Sequence, residues 1–400
     1  MSISETPTAV CEPTPVLSIE DGLPATAGPE RPLTRVLHVI NGEHYSGAER
    51  VQDLLAEHLL PHGYQVGFAC VKTGRFPDAR HYQSAPIYDA RMRSRLDLQC
   101  VQRLSRLIQE QRYQLVHAHT PRSLLVGRIA AGKVGVPLVY HVHSPTVNDS
   151  TQRLRNLLNH RAERWSLGGV ARIVAVSPSL RNHTIACGSP AERVCYIANG
   201  VPCSPQRSTE PPLGTWTLGM VALFRPRKGV EVLLEALANL VSRGRDVRLL
   251  AVGPFESEEY QTEVLALADQ LGIAERIEWT GFVGDVGEQL RRMDLFALPS
   301  LFGEGLPMVV LEAMAAGVPV VASRVEGIPE AIQDREQGLL VEPNDPAQLA
   351  AAVDEVVGGG LNYAALSGSA VERHRERFSA EAMAAQVAAV YAELLAKRRA

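Results

Sequence analysis

Short continuous apolar runs recur along this chain, with stretches of helical spacing between them. Val36-Leu37-His38-Val39-Ile40 opens as a strand, and Ala48 to Leu60 follows with apolar residues at helical intervals. Val66 to Val71, Leu115-Val116-His117-Ala118-His119, Leu138 to Val142 and Ile173-Val174-Ala175-Val176 continue the strands, with helices between them. An unbroken apolar run, rather than an alternating one, marks a strand covered on both faces, as in a parallel sheet. Pro202 to Gly214, rich in proline and polar residues, interrupts the series as a linker. A second series then begins, with strands at Leu218 to Leu223, Leu249 to Val252, Ile277 to Thr280, Leu295 to Leu298, Val318 to Ala322 and Leu339 to Val341. Ala380 to Leu395 reads as a closing helix. The pattern predicts an α/β chain of two doubly wound halves.

Pro299 to Arg324 is the most informative stretch. Leu295 to Leu298 is a buried strand ending in Pro299-Ser300, and the loop after it has glycines on both sides of Glu304. A helix through Val309 to Ala316 follows, with Pro307 suited to its first turn and Gly317 to its end. Pro319-Val320-Val321-Ala322 returns as a strand. In open α/β sheets ligands bind beyond the carboxyl ends of strands, where this loop sits. The helix start offers the unpaired N–H groups of Met308 and Val309 to an anion. Glu304 and Glu312 stand eight positions apart. That spacing recurs by chance, and by itself describes two solvated carboxylates near a helix start. The loop as a whole suits a ligand carrying both phosphate and hydroxyl groups.

Composition narrows the partners. No run approaches the roughly 18 apolar residues that a membrane span needs. Met1 to Glu30 holds five acidic residues, several prolines and no Lys or Arg, which predicts a disordered leader and not a signal peptide. Six cysteines (11, 70, 100, 187, 195, 203) lie scattered without a C-x-x-C pair, fitting a reduced cytoplasm and no zinc site. The net charge of −4 hides a split: residues 31–205 carry +11 and residues 206–400 carry −10. A basic first half points to an anionic partner. No nucleic-acid motif accompanies it, so an anionic membrane surface or a lipid-phosphate acceptor is the expectation, against basic residues spread evenly over a solvated surface.

Three further groups could carry chemistry. Gly47, within Ser46-Gly47-Ala48-Glu49-Arg50, lets backbone approach a phosphate at a helix start. His141 and His143 close a strand in Y-H-V-H-S-P, where neutral imidazole can donate to or accept from a ligand hydroxyl. Arg225-Pro226-Arg227-Lys228-Gly229 is a cationic turn that could neutralise an anionic ligand such as a phosphate. The chain has no Walker A motif, kinase catalytic loop or Asp-x-Asp metal motif.

The run E-G-L-P-M-V-V-L-E-A-M-A-A-G-V-P-V-V-A-S resembles the E-x7-E signature of retaining GT-B glycosyltransferases of the family 4 (glycosyl transferases group 1) type. The resemblance covers roughly residues 35 to 395. It implies two Rossmann-like domains with the active site in the cleft between them. The expected division is a leader at 1–30, an acceptor-side domain at 31–203, a linker at 204–214, a nucleotide-sugar domain at 215–380 and a helix at 381–400 packing back on the first domain. It also implies transfer from a UDP-, GDP- or ADP-linked sugar to a hydroxyl acceptor, without a required cofactor or metal. That acceptor would belong to polysaccharide, lipopolysaccharide or glycolipid assembly and could be lipid-linked, with the enzyme cytoplasmic or peripheral on the inner membrane face.

Under the resemblance Glu304 lies against the donor sugar, Glu312 holds the ribose hydroxyls and His143 binds the sugar. Lys228, Gly47, Gly305, Leu306, Met308 and Val309 contact the donor, and Phe282, in Trp279-Thr280-Gly281-Phe282-Val283, belongs to the segment that reads the base. His119 and His141 are acceptor-side candidates. The sequence departs from the family pattern in four places. Ser46 replaces one of two glycines, and Ala222 and Leu223 stand where the family has Gly and Arg. Arg225 is the candidate to replace that arginine. Glu326, in Val325-Glu326-Gly327-Ile328-Pro329-Glu330, stands where a supporting turn has its first glycine. The rivals are a GT-B sugar-nucleotide epimerase, a non-catalytic nucleotide-sugar-binding protein and a glycoside hydrolase. The basic loop argues against the hydrolase, which needs two carboxylates but no diphosphate site.

Overall fold

The computed structural model describes residues 33–45, 47–72, 74–94, 97–143 and 166–399. The expected leader, Ser46 and Ser144 lie outside the described residues. The strands are β1 Thr34–Ile40, β2 Tyr64–Cys70, β3 Ile87–Asp89, β4 Leu115–Ala118, β5 Leu138–Val142, β6 Arg172–Ala175 and β7 Val194–Tyr196, then β8 Trp216–Val221, β9 Val247–Val252, β10 Ile277–Gly281, β11 Leu295–Leu298, β12 Val320–Ser323 and β13 Gly338–Val341. They form two parallel sheets, in the orders β3-β2-β1-β4-β5-β6-β7 and β10-β9-β8-β11-β12-β13. The predicted α/β class and doubly wound sheets are present. Two strands went unforeseen, β3 (Ile-Tyr-Asp) and β7 (Val-Cys-Tyr). Each is an edge strand of three residues, too short to register as an apolar run.

The chain divides into two compact units, one ending at Leu138 and the other beginning at Val139. In the first, β1 pairs with β2 and β4, so that His38 lies opposite Phe68 on one side and His117 on the other. Helices α1 Gly47–His58, α2 Phe76–Ala79, α3 Leu98–Glu110 and α4 Pro121–Val134 accompany these strands. Helix α3 begins where Asp97 accepts from the N–H groups of Gln99 and Cys100. It buries Val101, Leu104, Leu107 and Ile108, one stripe at helical spacing. Helix α4 starts in a capping box of Thr120 and Ser123, has Pro121 in its first turn and ends at left-handed Gly135.

The second unit carries α5 Pro178–Ala186, α6 Val230–Ser242, α7 Glu258–Gln270, α8 Val286–Arg291, α9 Met308–Ala315, α10 Ile328–Ala331, α11 Pro346–Val357, α12 Tyr363–Arg377 and α13 Ala380–Arg399. Side-chain oxygens of Ser177, Ser257, Asp285 and Asp345 cap α5, α7, α8 and α11. The core around β8 and β9 buries Leu218, Phe224, Leu233, Leu237 and Leu249, and Phe224 meets Trp279 edge to face at 5.6 Å. In the stretch joining β7 to β8, Arg207 ion-pairs with Asp294 at 2.7 Å and donates to Tyr363 Oη at 2.9 Å. Glu393 of α13 ion-pairs with Arg172 of β6. No helix among the described residues is long and apolar enough to cross a membrane.

Candidate active site

The order of the second sheet reverses between β8 and β11, which pair in parallel. Connections leave these neighbours in opposite directions, so a crevice opens beyond their carboxyl ends. The segment after β8 is the basic one and the segment after β11 carries Glu304. Pro226 to Lys228 forms one turn of 3-10 helix, closed by Gly229 at φ +67°. A Cβ on Gly229 would lie 2.1 Å from the carbonyl oxygen of Pro299, so only glycine lets the two segments touch. Leu301 N–H then donates to the Arg227 carbonyl at 2.8 Å and joins the segments directly.

This stitching brings the charges together. Lys228 Nζ donates to Glu304 Oε1, as does the Ser300 hydroxyl at 2.7 Å, while an Arg227 guanidinium nitrogen stands 3.6 Å away. Glu304 is buried, and Lys228 is nearly so. Burial lowers the pKa of Lys228, with Glu304 opposing the shift. Arg225 turns outward to Glu256 at 3.3 Å. Besides Lys228, the guanidinium near the buried carboxylate is that of Arg227, where the sequence pattern pointed to Arg225. Leu223, where the family has arginine, is exposed.

The loop after β11 is fixed from behind. The Glu326 carboxylate accepts from the N–H groups of Gly303 and Glu304 at 2.9 and 3.0 Å, and Gly327 N–H donates to the Glu304 carbonyl at 3.0 Å. A Cβ on Gly327 would fall 1.7 Å from the Gly305 carbonyl oxygen, and one on Gly305 would fall 2.2 Å from that of His143. Backbone of His143, Gly305 and Gly327 is thus packed in sequence, which sets His143 beside the residue following Glu304. The His143 ring stacks on His141 at 4.4 Å, and burial lowers its pKa to about 4, leaving a neutral imidazole near pH 7. His141 is fully buried.

Leu306 and Met308 have buried side chains, so a ligand would meet them through backbone. Asn199 Nδ2 holds the Leu306 carbonyl at 2.9 Å. Pro307 occupies the N-cap of α9, one place earlier than expected, and α9 therefore starts at Met308 with no side chain capping it. The first N–H groups of a helix, here Met308 and Val309, have no partner within it. Glu312 lies one turn further on and is half-buried. Phe282 follows β10 and is 75% exposed. Glu330, whose pKa is raised by burial, accepts from Ser179 N–H at the start of α5 at 3.0 Å.

In the first unit the strand order reverses between β1 and β4. Gly47 is exposed at the start of α1. His119 is buried just past β4, with Nε2 3.2 Å from His38 Nδ1 and its ring stacked on His117 at 4.2 Å. One ligand nitrogen from each of these three histidines lies within 4.8 Å of the others, the group in this unit that could hold a metal ion. His38 was not singled out from the sequence. Its position two residues from the end of β1, in register with His117, is the signal that was available.

Comparisons with known proteins agree with the two-sheet fold. Residues 45–204 match the glycosyltransferase family 4 model, and residues 215–358 match that of glycosyl transferases group 1. Phosphatidyl-myo-inositol mannosyltransferase of Mycobacterium leprae is 30% identical over 286 residues, covering 68% of this chain and 72% of the relative. D-inositol 3-phosphate glycosyltransferase of Thermobispora bispora is 31% identical over 310 residues, covering 71% of each. Among solved structures, Anabaena HepE in complex with UDP aligns with a TM-score of 0.80 at 23% identity, covering 90% of this chain and all of that one. Sucrose-phosphate synthase from Thermosynechococcus elongatus aligns at 0.74 and 21%, covering 91% and 100%. With two Rossmann-like parallel sheets and these matches, the chain belongs to glycosyltransferase family 4 and is a glycosyltransferase of GT-B fold.

Proposed function

We propose that this glycosyltransferase takes its sugar from a nucleotide-diphospho-sugar and delivers it, with retention of anomeric configuration, to a hydroxyl of an anionic, lipid-linked acceptor in polysaccharide or glycolipid assembly. One observation carries the reading. The buried Glu304 carboxylate sits at the switch point of the second sheet with Lys228, Arg227 and Ser300 on it, in the loop that feeds the start of α9.

A leaving diphosphate needs positive charge that is already in place. Lys228, aided by Arg225 and by the N–H groups of Met308 and Val309, would supply it, so no divalent ion enters the scheme. The bond from the anomeric carbon to the diphosphate oxygen breaks, and the acceptor oxygen bonds to that carbon on the same face. The acceptor proton leaves with the diphosphate. Glu304 fixes sugar hydroxyls and offsets the positive charge that grows on the ring, and the neutral His143 imidazole holds a further hydroxyl. Backbone of Gly305 and Leu306 lines the sugar, Glu312 accepts from the ribose hydroxyls, and the segment at Phe282 meets the base. In the first unit, Gly47 is assigned to phosphate and His119 to the acceptor; in the second, His141 joins the acceptor side. The proposed division of labour puts the donor on residues 215–380 and the acceptor on residues 31–203, with 204–214 as linker and 381–400 as a closing helix.

Several outside findings support the choice of donor and acceptor. Structural neighbours were solved with UDP and UDP-glucose, and the named relatives act on inositol compounds, one of them a phosphatidyl-inositol. The basic charge of residues 31–205 is consistent with an anionic acceptor at a membrane surface.

The test is a transfer assay with UDP-, GDP- and ADP-linked sugars and inositol phosphate or phosphatidylinositol as acceptor, on wild type and Glu304→Ala. Transfer by wild type, with collapse in the folded variant, is expected. Near-normal turnover in Glu304→Ala would sink the assignment. The exposed Leu223 favours a second reading, donor binding without transfer. It predicts stabilisation by donor with no product for any acceptor.

A further inference from the structure

The loop that carries Glu304 is gripped by two groups of opposite charge. Arg227 Nη1 donates to the carbonyl oxygens of Phe302 and Gly303, at 3.2 and 3.1 Å. The Glu326 carboxylate accepts from the N–H groups of Gly303 and Glu304, one on each oxygen. The Phe302 carbonyl and the Gly303 N–H belong to one peptide group, and the Gly303 carbonyl and the Glu304 N–H to the next. Two consecutive peptide groups therefore lie with their negative ends on a guanidinium and their positive ends on a carboxylate. Both bonds at each end are charge-assisted, the stronger class. Gly303, at φ +82°, presents the two peptides in this common sense.

Glu326 holds this place against its own backbone preference. Its φ is +34°, a region that costs a residue with a side chain and suits glycine, which the resembling turn has there. The same residue supplies both carboxylate bonds to the loop, and glycine could supply neither.

We propose that Arg227 and Glu326 are positioning residues that clamp the 302–304 backbone and so aim the Glu304 carboxylate. The proposal rests on the reading that Glu304 addresses the donor sugar. Neither residue is required to touch the substrate. Displacing a catalytic group by about 1 Å costs on the order of 100-fold in rate.

The experiment uses the full chain with Glu326→Gln, Glu326→Gly and Arg227→Met. Glutamine keeps one acceptor but turns an NH2 towards a backbone N–H. Glycine relieves the strained φ along with removing the carboxylate, so folding is not at issue in that variant. Amide hydrogen exchange of the ligand-free proteins should quicken about tenfold or more at Gly303 and Glu304 in all three. Turnover should fall about 10- to 100-fold, while the affinity for UDP, GDP or ADP alone stays within roughly threefold of wild type, since the clamp leaves the diphosphate ligands in place. A role in stability alone would not separate turnover from nucleotide affinity in this way. Unchanged exchange in Glu326→Gln, or wild-type turnover in it, overturns the clamp. Loss of nucleoside diphosphate binding in Arg227→Met, with exchange unchanged, also overturns it and makes Arg227 a direct ligand. If wild type transfers from no donor, the proposed function fails, and the exchange comparison still decides the clamp.

Discussion

The two sheets reverse strand order in the same way, yet the groups buried at their switch points differ in chemistry. At the β1–β4 reversal the buried groups are imidazoles, His38, His117 and His119 together, with the Thr120 hydroxyl donating to Asn41 Oδ1 at 3.1 Å and a more exposed Glu43–Lys72 ion pair joining the loops after β1 and β2. At the β8–β11 reversal they are ionic, with Lys228, Arg227 and Glu304 in contact and Glu326 behind them. One topology thus carries two kinds of buried polar cluster. The ionic one suits a group whose charge changes during the proposed reaction, and the imidazole one suits hydroxyls. Duplicated architecture does not dictate duplicated chemistry; the loop residues do.

The largest effects should come from breaking the ionic switch point. Glu304→Gln should lower kcat/KM about 100- to 1000-fold, the usual cost of removing one preorganised electrostatic group. Lys228→Met should cost as much in transfer. It also leaves a buried carboxylate without its ammonium partner, which destabilises by about 3 kcal/mol or more. Steady-state kinetics and thermal denaturation of both variants check this, and a Lys228→Met protein as stable as wild type would contradict the burial argument. Next come the glycines that let backbones meet. Gly305→Ala puts a Cβ 2.2 Å from the His143 carbonyl oxygen, so His143 and the Glu304 loop must part. A loss of about 1 to 3 kcal/mol, read as a fall in melting temperature, should accompany reduced turnover. Gly132→Ala, whose Cβ would meet nothing within 4 Å, is the control in the first unit.

The histidine-lined switch point should show itself in acid. Burial lowers the pKa of His38 from 6.5 to about 3, so between these values the unfolded chain binds a proton that the folded chain refuses. Stability therefore rises with pH through that window, and is lost as pH falls below about 6.5, by up to about 3 to 5 kcal/mol for a fully buried group. His143, lowered to about 4, acts in the same direction. His38→Asn should flatten the dependence of unfolding free energy on pH between 4 and 6.5, measured by denaturant titration. An unchanged slope would mean that His38 is readily protonated in the fold. The smallest effect concerns the membrane. Pelleting with anionic vesicles should exceed pelleting with neutral ones by a few-fold at low salt and fade as salt screens it. Equal pelleting would remove the membrane from the proposal.

Much of this was legible from the chain. Continuous apolar runs gave eleven of the strands described, and β5 and β11 begin and end where the pattern sets them. The glycine-flanked Glu304 and the Lys228-Gly229 pair pointed to the residues that meet at the second switch point. What the sequence did not show is direction. Arg225 and Arg227 are two positions apart, and nothing in their spacing says that one turns to Glu256 and the other to Glu304. The Ser300 bond to Glu304 and the grip of Glu326 depend on a loop closing over four and over twenty-two residues respectively, which periodicity does not report. Edge strands β3 and β7 were lost because three residues carry no period.

The most direct test of the central claim, that the β8–β11 switch point binds the diphosphate of a nucleotide-sugar, is calorimetric titration of UDP, GDP and ADP into wild type and Lys228→Met. The account predicts that wild type binds one of the three and that the variant binds it at least about tenfold more weakly, as expected on losing a charge-assisted contact. Equal affinity in the two proteins, or no binding of any nucleoside diphosphate by wild type, would contradict it.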